Sequence, residues 1–397
     1  MRATRTTRGG APAGRRGESA AALRGCDDGL VRRLLASSDR ARRGALAVRR
    51  AASEAQGASF RTKDPGDVSV AVAGATGYIG RAVVAELVSR GYNTTALARD
   101  KSGIGGADGK QDAAGRLPGA AMSFCDVTDP SSLSRSLGDV KPDVFVCCLA
   151  SRTGGKKDSW LIDYEASKNC LEAAKASGAS HFVLLSAICV QKPLLEFQHA
   201  KLKFERELMA QTDVSYSIVR PTAFFKSLAG QIESVKKGGP YVYFGDGDLC
   251  ACKPISERDL ASFIADCITE ESMANAVLPI GGPGKAYTPK EQAALLGELL
   301  GEAPKEFPVP VALMDGIIGI LDFFAQFFPG TFEDAAEFGR IGKYYATESM
   351  LVYDAATGVY DAEATPSYGN DTLEAFFKNA LEEGLEGQEL GDQAVFK

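Results

Sequence analysis

Histidine is scarce in this chain: His181 and His199 are the only two among 397 residues. A metal centre built from several imidazoles is excluded on that count. The nine cysteines are neither dense nor regularly spaced, and no pair of Cys-x-x-Cys units occurs. A disulfide framework, a structural zinc and a cysteine-ligated iron–sulfur cluster are excluded with them. No uninterrupted apolar run reaches the roughly 18 residues a membrane-spanning helix needs. The nearest stretch, Val309 to Phe328, is broken by Asp315 and Asp322. Lysine is missing from the first 60 residues, which hold 13 Arg against five acidic residues.

What is present is ordinary for a globular protein: 45% hydrophobic and 24% charged residues. The length suits one large domain or two modest ones, each able to bury a substantial core. Charge is distributed unevenly, with a net +8 over residues 1–60 and −14 over the rest. A head rich in Arg, Ala, Gly and Ser and poor in acids has the composition of an organelle transit peptide, with Leu34 and Leu35 in a short amphipathic turn. A disordered basic arm for nucleic acid or anionic lipid would have similar composition. The acidic body offers nucleic acid no electrostatic footprint, so no nucleic-acid partner is expected. The fold argument begins near residue 61.

Val68 to Ala73 is a short β-branched run, as in a buried parallel strand. It leads into Gly74-Ala75-Thr76-Gly77-Tyr78-Ile79-Gly80 and then a helix with Val83, Val84, Leu87 and Val88 on one face, stopped by Gly91. Strand, glycine turn and helix in this order form a dinucleotide fingerprint. The glycines allow a tight turn and close backbone approach, and the helix N-terminus offers free N–H groups to a pyrophosphate. The next strand, Asn93 to Ala98, ends at Arg99. An Arg here accommodates the 2′-phosphate of NADP, where an acid would grip the ribose hydroxyl of NAD. Asp100 stands beside it and Lys101 adds positive charge, so NADPH is the expected cofactor, a solvated loop charge being the other use of Arg99.

The βα alternation continues through Met122–Cys125, a strand from Asp143 to Cys148, a helix over 164–177, a strand from His181 to Ser186, a helix over 197–210 and a strand from Ser215 to Val219. Right-handed crossovers between such units give an α/β, doubly wound parallel sheet. Cys147 and Cys148 read as buried strand residues. The expected organisation is a transit peptide over 1–60, a Rossmann dinucleotide-binding domain over 65–235, and a smaller C-terminal substrate lobe over 236–390 interleaved with the last Rossmann elements. Late signals include a strand at Tyr241–Gly245, a helix after Ile255–Leu260 running to Ile268, Pro279–Gly284, and a helix over 290–300. Asp315 to Phe328, with four Phe, reads as a core or interface helix, with a flat hydrophobic ligand or membrane surface as the alternative.

The G-x-x-G-x-x-G spacing with its Ala-Thr filling resembles the extended and atypical short-chain dehydrogenase/reductase superfamily. That resemblance implies that Asp126 and Val127 cap the adenine, and that Leu149, Ala150 and Ser151 pass the nicotinamide. Arg220-Pro221 would form a turn over the nicotinamide, and Phe224 and Phe225 would either line the substrate pocket or, as is commoner for such pairs, pack in the core. Reductases of this type use a Ser and a Tyr-x-x-x-Lys pair. Tyr164-Glu-Ala-Ser-Lys168 matches literally but precedes the fifth strand, where the motif does not belong. Ser186 ends that strand, where the superfamily Ser stands. Lys201 then fits the motif's Lys, but Phe197 occupies the Tyr position. A phenyl ring donates no proton, so the standard carbonyl relay is in doubt. A surface helix charge is the other reading of Lys201.

Four segments narrow the resemblance: Val72–Gly80, Ala150–Gly155, Phe197–Glu205 and Arg220–Leu228. Over residues 65–390 the chain resembles the flavin- and iron-free, NADPH-dependent tetrapyrrole vinyl reductases of plastids. This implies a divinyl chlorophyllide or protochlorophyllide substrate, reduction of its C8 vinyl to ethyl in chlorophyll biosynthesis, and a chloroplast location; peripheral contact with a plastid membrane is the alternative use of the apolar stretch from Asp315 to Phe328. No alkoxide forms when a conjugated vinyl accepts hydride, so the missing Tyr is compatible with that chemistry. Water, Lys201, Ser186 and Cys189 all remain open as proton donors, with Lys201 and Ser186 as the catalytic candidates. Two other readings stand beside it: a non-catalytic NADPH-binding assembly protein, and a different C=C reductase resembling the isoflavone reductase group.

Overall fold

A computed structural model describes residues 60–101 and 109–384. The basic head lies outside the described residues, apart from Phe60 at its end. The elements in chain order are β1 (Ser69–Ala73), α1 (Tyr78–Ser89), β2 (Asn93–Ala98), α2 (Lys110–Gly115), β3 (Ala121–Phe124), α3 (Pro130–Val140), β4 (Val144–Cys147), α4 (Ser167–Ser177), β5 (His181–Leu185), α5 (Glu196–Ala210) and β6 (Ser215–Pro221). There follow β7 (Tyr241–Phe244), α6 (Glu257–Thr269), β8 (Ala276–Ile280), α7 (Pro289–Leu300), β9 (Glu306–Val309), α8 (Val311–Ala325), α9 (Pro329–Thr347), β10 (Val352–Asp354), β11 (Val359–Asp361) and α10 (Leu373–Glu383).

Seven strands form one sheet in the order β3-β2-β1-β4-β5-β6-β8, with every neighbouring pair parallel. This is the expected doubly wound sheet. Strand side chains alternate between its faces, so both must be apolar and both are covered. Val70, Val72, Val144, Val146 and Val183 pack with Val83, Val84 and Leu87 of α1 and Leu260, Ile264 and Ile268 of α6. Ala71, Ala73, Phe145, Cys147, Phe182 and Leu184 face Leu133 and Leu137 of α3, Cys170 and Leu171 of α4, and Phe204 and Leu208 of α5. Each fully buried Val, Leu or Phe of these layers contributes about 1.5–3 kcal/mol. Strand order reverses at β1, between β2 and β4, which opens a crevice at their carboxyl ends.

Several local expectations are corrected. The helix expected over 164–177 is entered much earlier, through Lys156–Asp158 and a π-helical stretch, Ser159–Ala166, before α4. The strand expected to stop at Val219 runs on, so Arg220 and Pro221 are its last residues rather than a turn. The Tyr241 strand leaves the main sheet and pairs with β9. Among the described residues no helix is long and apolar enough to cross a membrane. The four-Phe segment is not core: α8 buries only Ile318 and exposes Leu313, Ile317, Ile320, Phe323 and Phe324. Asp315 and Asp322, which interrupt its apolar run, face α9 and pair with Lys343 and Arg340.

Candidate active site

The turn after β1 is built so that only glycine fits. Gly74 has φ +76°, and a Cβ there would lie 2.6 Å from the Cys148 carbonyl oxygen. At Gly80 a Cβ would lie 2.0 Å from the Gly74 carbonyl oxygen. That contact seats α1 directly on the turn. Gly77 caps α1 with no side-chain hydrogen bond, so the N–H groups of the first turn are left for an anion. Ala75 and Ile79 are buried beneath the turn, and Thr76 is half-buried above it. The Tyr78 hydroxyl donates to Glu257 at 2.7 Å, and the Lys226 ammonium stands 4.7 Å from its ring centroid. This cradle, which a methyl group would fill, fits the pyrophosphate of a nicotinamide dinucleotide.

At the end of β2, Arg99 and Asp100 are both exposed. Asp100 is engaged by Lys110 at 3.0 Å, which offsets the negative charge beside Arg99. After β3, Asp126 turns back on itself and accepts from the Thr128 N–H at 2.9 Å and hydroxyl at 2.7 Å. The Val127 side chain packs on the core, and its carbonyl accepts from Asn169 at 3.2 Å.

Beyond β4 the loop carrying Leu149, Ala150 and Ser151 is held by a buried ion pair that the sequence reading missed. Lys201 Nζ lies 3.0 Å from Asp163 Oδ1 and 3.4 Å from the Leu149 carbonyl. The same Asp163 oxygen accepts from the Ser151 N–H at 3.2 Å. Lys201 is 9% exposed and Asp163 2%, so Lys201 is no surface charge. Burial is the largest influence on the ammonium and opposes its charge. The Asp163 carboxylate, with Cys147 and Cys189 nearby, outweighs burial and holds the Lys201 pKa above its ordinary value. The one available signal for Asp163 was its place in a polar stripe, Ser159, Asp163 and Ser167, along an otherwise apolar helix.

Ser186 does not join this pair. Its hydroxyl donates to Glu205 at 2.5 Å, and Glu205, fully buried, is bonded on its other side by Arg220. Arg220 is thus an internal counter-ion, and Pro221 is buried at the end of β6. Phe197 packs on the cluster of Ile188, Cys189, Leu195 and Tyr344. Burial, above all, pushes the Cys189 thiol up to about 11. The two candidate pocket phenylalanines separate: Phe224 lies 6.3 Å from the Tyr78 ring, whereas Phe225 is core, 5.2 Å from Phe376. The literal Tyr-x-x-x-Lys match is tied up elsewhere, with Tyr164 donating to Glu207 at 2.7 Å and Lys168 paired to Glu207 at 3.2 Å.

A doubly wound sheet, a glycine cradle at its switch point and a buried Lys after the fifth strand define a nicotinamide-dependent protein of the short-chain reductase type. In agreement, the chain matches the NAD(P)H-binding family over residues 74–271. In fold it is similar to the NADPH-dependent quinone oxidoreductase of Escherichia coli complexed with NADPH, with TM-score 0.55 and 19% identity, covering 78% of this chain and 99% of that one. It is 63% identical over 349 residues to the chloroplastic divinyl chlorophyllide a 8-vinyl-reductase of Cucumis sativus, covering 86% of this chain and 83% of the relative. The enzyme of that name from Arabidopsis thaliana is 61% identical, covering 84% of this chain and 82% of the relative. The chain belongs to the divinyl chlorophyllide a 8-vinyl-reductase family.

Proposed function

We propose that this protein reduces the 8-vinyl group of divinyl chlorophyllide a to ethyl with NADPH, in the chloroplast, as a step of chlorophyll biosynthesis. The observation that carries the reading is the 63% identity to a reductase of that name, and this chain's Lys201, with Phe197 where a carbonyl reductase needs Tyr, is compatible with it. NADPH, when bound, supplies the hydride.

The chain's own groups bind and orient. Gly74 to Gly80 and the first turn of α1 would take the pyrophosphate, Arg99 the 2′-phosphate, and Asp126 with Val127 the adenine. Leu149, Ala150, Ser151 and Pro221 would border the nicotinamide, and Lys201 would hold its ribose. Positioning of the vinyl against the hydride donor is the main task, worth far more than the roughly 10²–10⁴-fold of general acid help. The second vinyl carbon still needs a proton. Ser186 commits its hydrogen to Glu205, Lys201 carries a proton as an ammonium beside Asp163, and Cys189 is kept as a thiol by burial; these three and water are the candidate donors.

In this reading residues 1–60 carry plastid import, 65–235 hold the dinucleotide, and 236–390 supply the substrate lobe together with late Rossmann elements. The uncovered apolar face of α8 supports peripheral contact with a plastid membrane. No role in nucleic-acid binding is proposed for the acidic body. The test is NADPH consumption on addition of divinyl chlorophyllide a to protein lacking the first 60 residues. One NADPH oxidised per vinyl lost is expected. NADPH binding without turnover on either divinyl chlorophyllide or divinyl protochlorophyllide would favour a non-catalytic assembly protein.

A further inference from the structure

The ion pair Asp163–Lys201 is the most deeply buried charge pair bordering the cofactor loop, and it sits in an unusual seam. The π-helical stretch Ser159–Ala166 lies against α5, and three contacts set their relative direction. Trp160 Nε1 donates to Glu196 at 2.8 Å, Lys201 meets Asp163 at 3.0 Å, and Tyr164 donates to Glu207 at 2.7 Å. Partners advance together on both elements, so the two run parallel. Ser159 and Gln198 stand one turn before Asp163 and Lys201 on their own helices, and therefore fall at one level of the seam.

Along the seam, buried polar atoms without protein partners accumulate among the described residues. Asp163 Oδ2, Ser159 Oγ and Gln198 Nε2 are all buried and make no hydrogen bond among the described residues. Ser159 and Gln198 are fully buried. The Gln198 amide is not simply reversed, because its Oε1 accepts from the Leu194 and Leu195 N–H groups at 2.7 and 3.0 Å. Its Nε2 is turned toward the Cys189 thiol and the Tyr344 hydroxyl. Unpartnered buried polar atoms are costly, so the seam depends on the contacts that its charge pair does make.

We propose that Asp163 is the positioning residue of this active site: it fixes the Lys201 ammonium and the Leu149–Ser151 loop against the nicotinamide. Asp163 reaches both ends of the device directly, through Lys201 Nζ and the Ser151 N–H. It supplies the polar partner that Lys201 lacks once Phe197 stands in the Tyr position. The titratable groups that face the pair are Cys147 and Cys148 at the end of β4, Cys189 after β5, and Tyr345 from α9. Burial strips solvent from the Lys201 ammonium, so Asp163 is what keeps it charged.

This inference rests on the proposed cofactor site but not on the substrate, so its test reads NADPH binding in the absence of chlorophyllide. Fluorescence titrations with NADPH, run from about pH 7 to pH 10, compare the wild type with Asp163→Asn and Asp163→Glu. Asp163→Asn is expected to weaken binding roughly 10-fold, and its affinity to fall further at a pH where the wild type still binds well, as the unpaired ammonium loses its proton. Asp163→Glu restores part of the affinity and the wild-type pH profile. An Asp163→Asn protein that melts like the wild type and binds NADPH with unchanged affinity and profile would overturn the proposal. The expected NADPH behaviour of all three proteins, together with no vinyl turnover by the wild type, would instead count against the substrate reading alone.

Discussion

Ser186 donates its hydroxyl hydrogen to Glu205 at 2.5 Å, and the carboxylate that receives it is fully buried and shared with Arg220. The residue that the superfamily uses next to a reacting carbonyl is here one member of a structural triad that ties β5, α5 and β6 together. Removing Arg220 leaves Glu205 an uncompensated buried charge. Arg220→Met is therefore expected to cost about 3–5 kcal/mol of stability. Ser186→Ala removes one hydrogen bond to a charged group, about 1.5–3 kcal/mol. Urea unfolding of both variants checks the order. A Ser186→Ala protein that is stable but loses turnover on the order of 10³-fold would return Ser186 to the chemistry.

Arg99 stands exposed at the end of β2, with its acidic neighbour Asp100 engaged by Lys110. Arg99→Ala is expected to weaken NADPH binding by about 1.5–3 kcal/mol, the worth of a hydrogen bond to a charged phosphate. NADH lacks that phosphate, and its affinity should hardly change. Parallel titrations with the two cofactors separate the outcomes. Equal losses would mean that Arg99 supports the loop and reads no phosphate.

The sheet was legible because its strands are short apolar runs and its first crossover carries three glycines, both local signals. Chain order made two local features legible, the glycine turn at Gly74–Gly80 and the place of Lys201 on the helix after the fifth strand. Asp163 was not legible, because its meaning lies in a partner on another helix. The helix that carries it was also misplaced: a π-helical stretch bonds i to i+5 and breaks the period by which helices are recognised. Phe225 and α8 were left between two readings for a complementary reason. Apolar side chains announce burial, but the sequence does not say which face another element covers. Phe225 found Phe376, while α8 found only α9 beneath it.

His181 sits in β5 with both ring nitrogens engaged, Nδ1 with Ser215 at 2.8 Å and Nε2 with Ser217 at 3.1 Å. Burial first, and then the Arg61 charge, lower its pKa to about 3. The unfolded chain takes up this proton near pH 6.5, so between about 3 and 6.5 it binds more protons than the folded one. The stabilisation is complete above about pH 6.5 and declines as pH falls, by roughly 1.4 kcal/mol per pH unit within the window. Urea unfolding at a series of pH values should show that slope in the wild type and a shallower one in His181→Gln. Identical slopes would assign the acid sensitivity to other groups.

Phe323, Phe327 and Phe328 are each more than half exposed at the end of α8, with Ile317 and Ile320 on the same helix. If this face meets a membrane, Phe323→Ser with Phe327→Ser should reduce sedimentation with plastid-lipid vesicles several-fold, because each buried aromatic contributes about 1.5–3 kcal/mol. NADPH affinity should stay constant, since the dinucleotide crevice lies at β1 and β4. Unchanged sedimentation, or sedimentation abolished by salt alone, would remove α8 as the contact.

Phe197 and Lys201 lie one helical turn apart on α5 but do different work, and paired variants separate their roles. Phe197→Tyr restores the phenol that carbonyl reductases use against a developing alkoxide. A vinyl group forms none, because the conjugated macrocycle spreads the negative charge. The substitution should bring no gain in vinyl reduction and a modest loss, since Phe197 packs among Ile188, Cys189 and Tyr344 and a hydroxyl there needs a partner. Lys201→Met removes the ammonium that spans Asp163 and the Leu149 carbonyl. A nicotinamide displaced by about 1 Å loses on the order of 10²-fold in rate, so turnover should fall far more than in Phe197→Tyr, with weaker NADPH binding. Turnover and NADPH affinity, measured for both variants with divinyl chlorophyllide a, give the comparison. A large gain in Phe197→Tyr would show that proton delivery limits the reaction, and the electron-sink account would have to go. Unchanged turnover and affinity in a folded Lys201→Met protein would take Lys201 out of the site and leave the Asp163 pair a packing device between two helices.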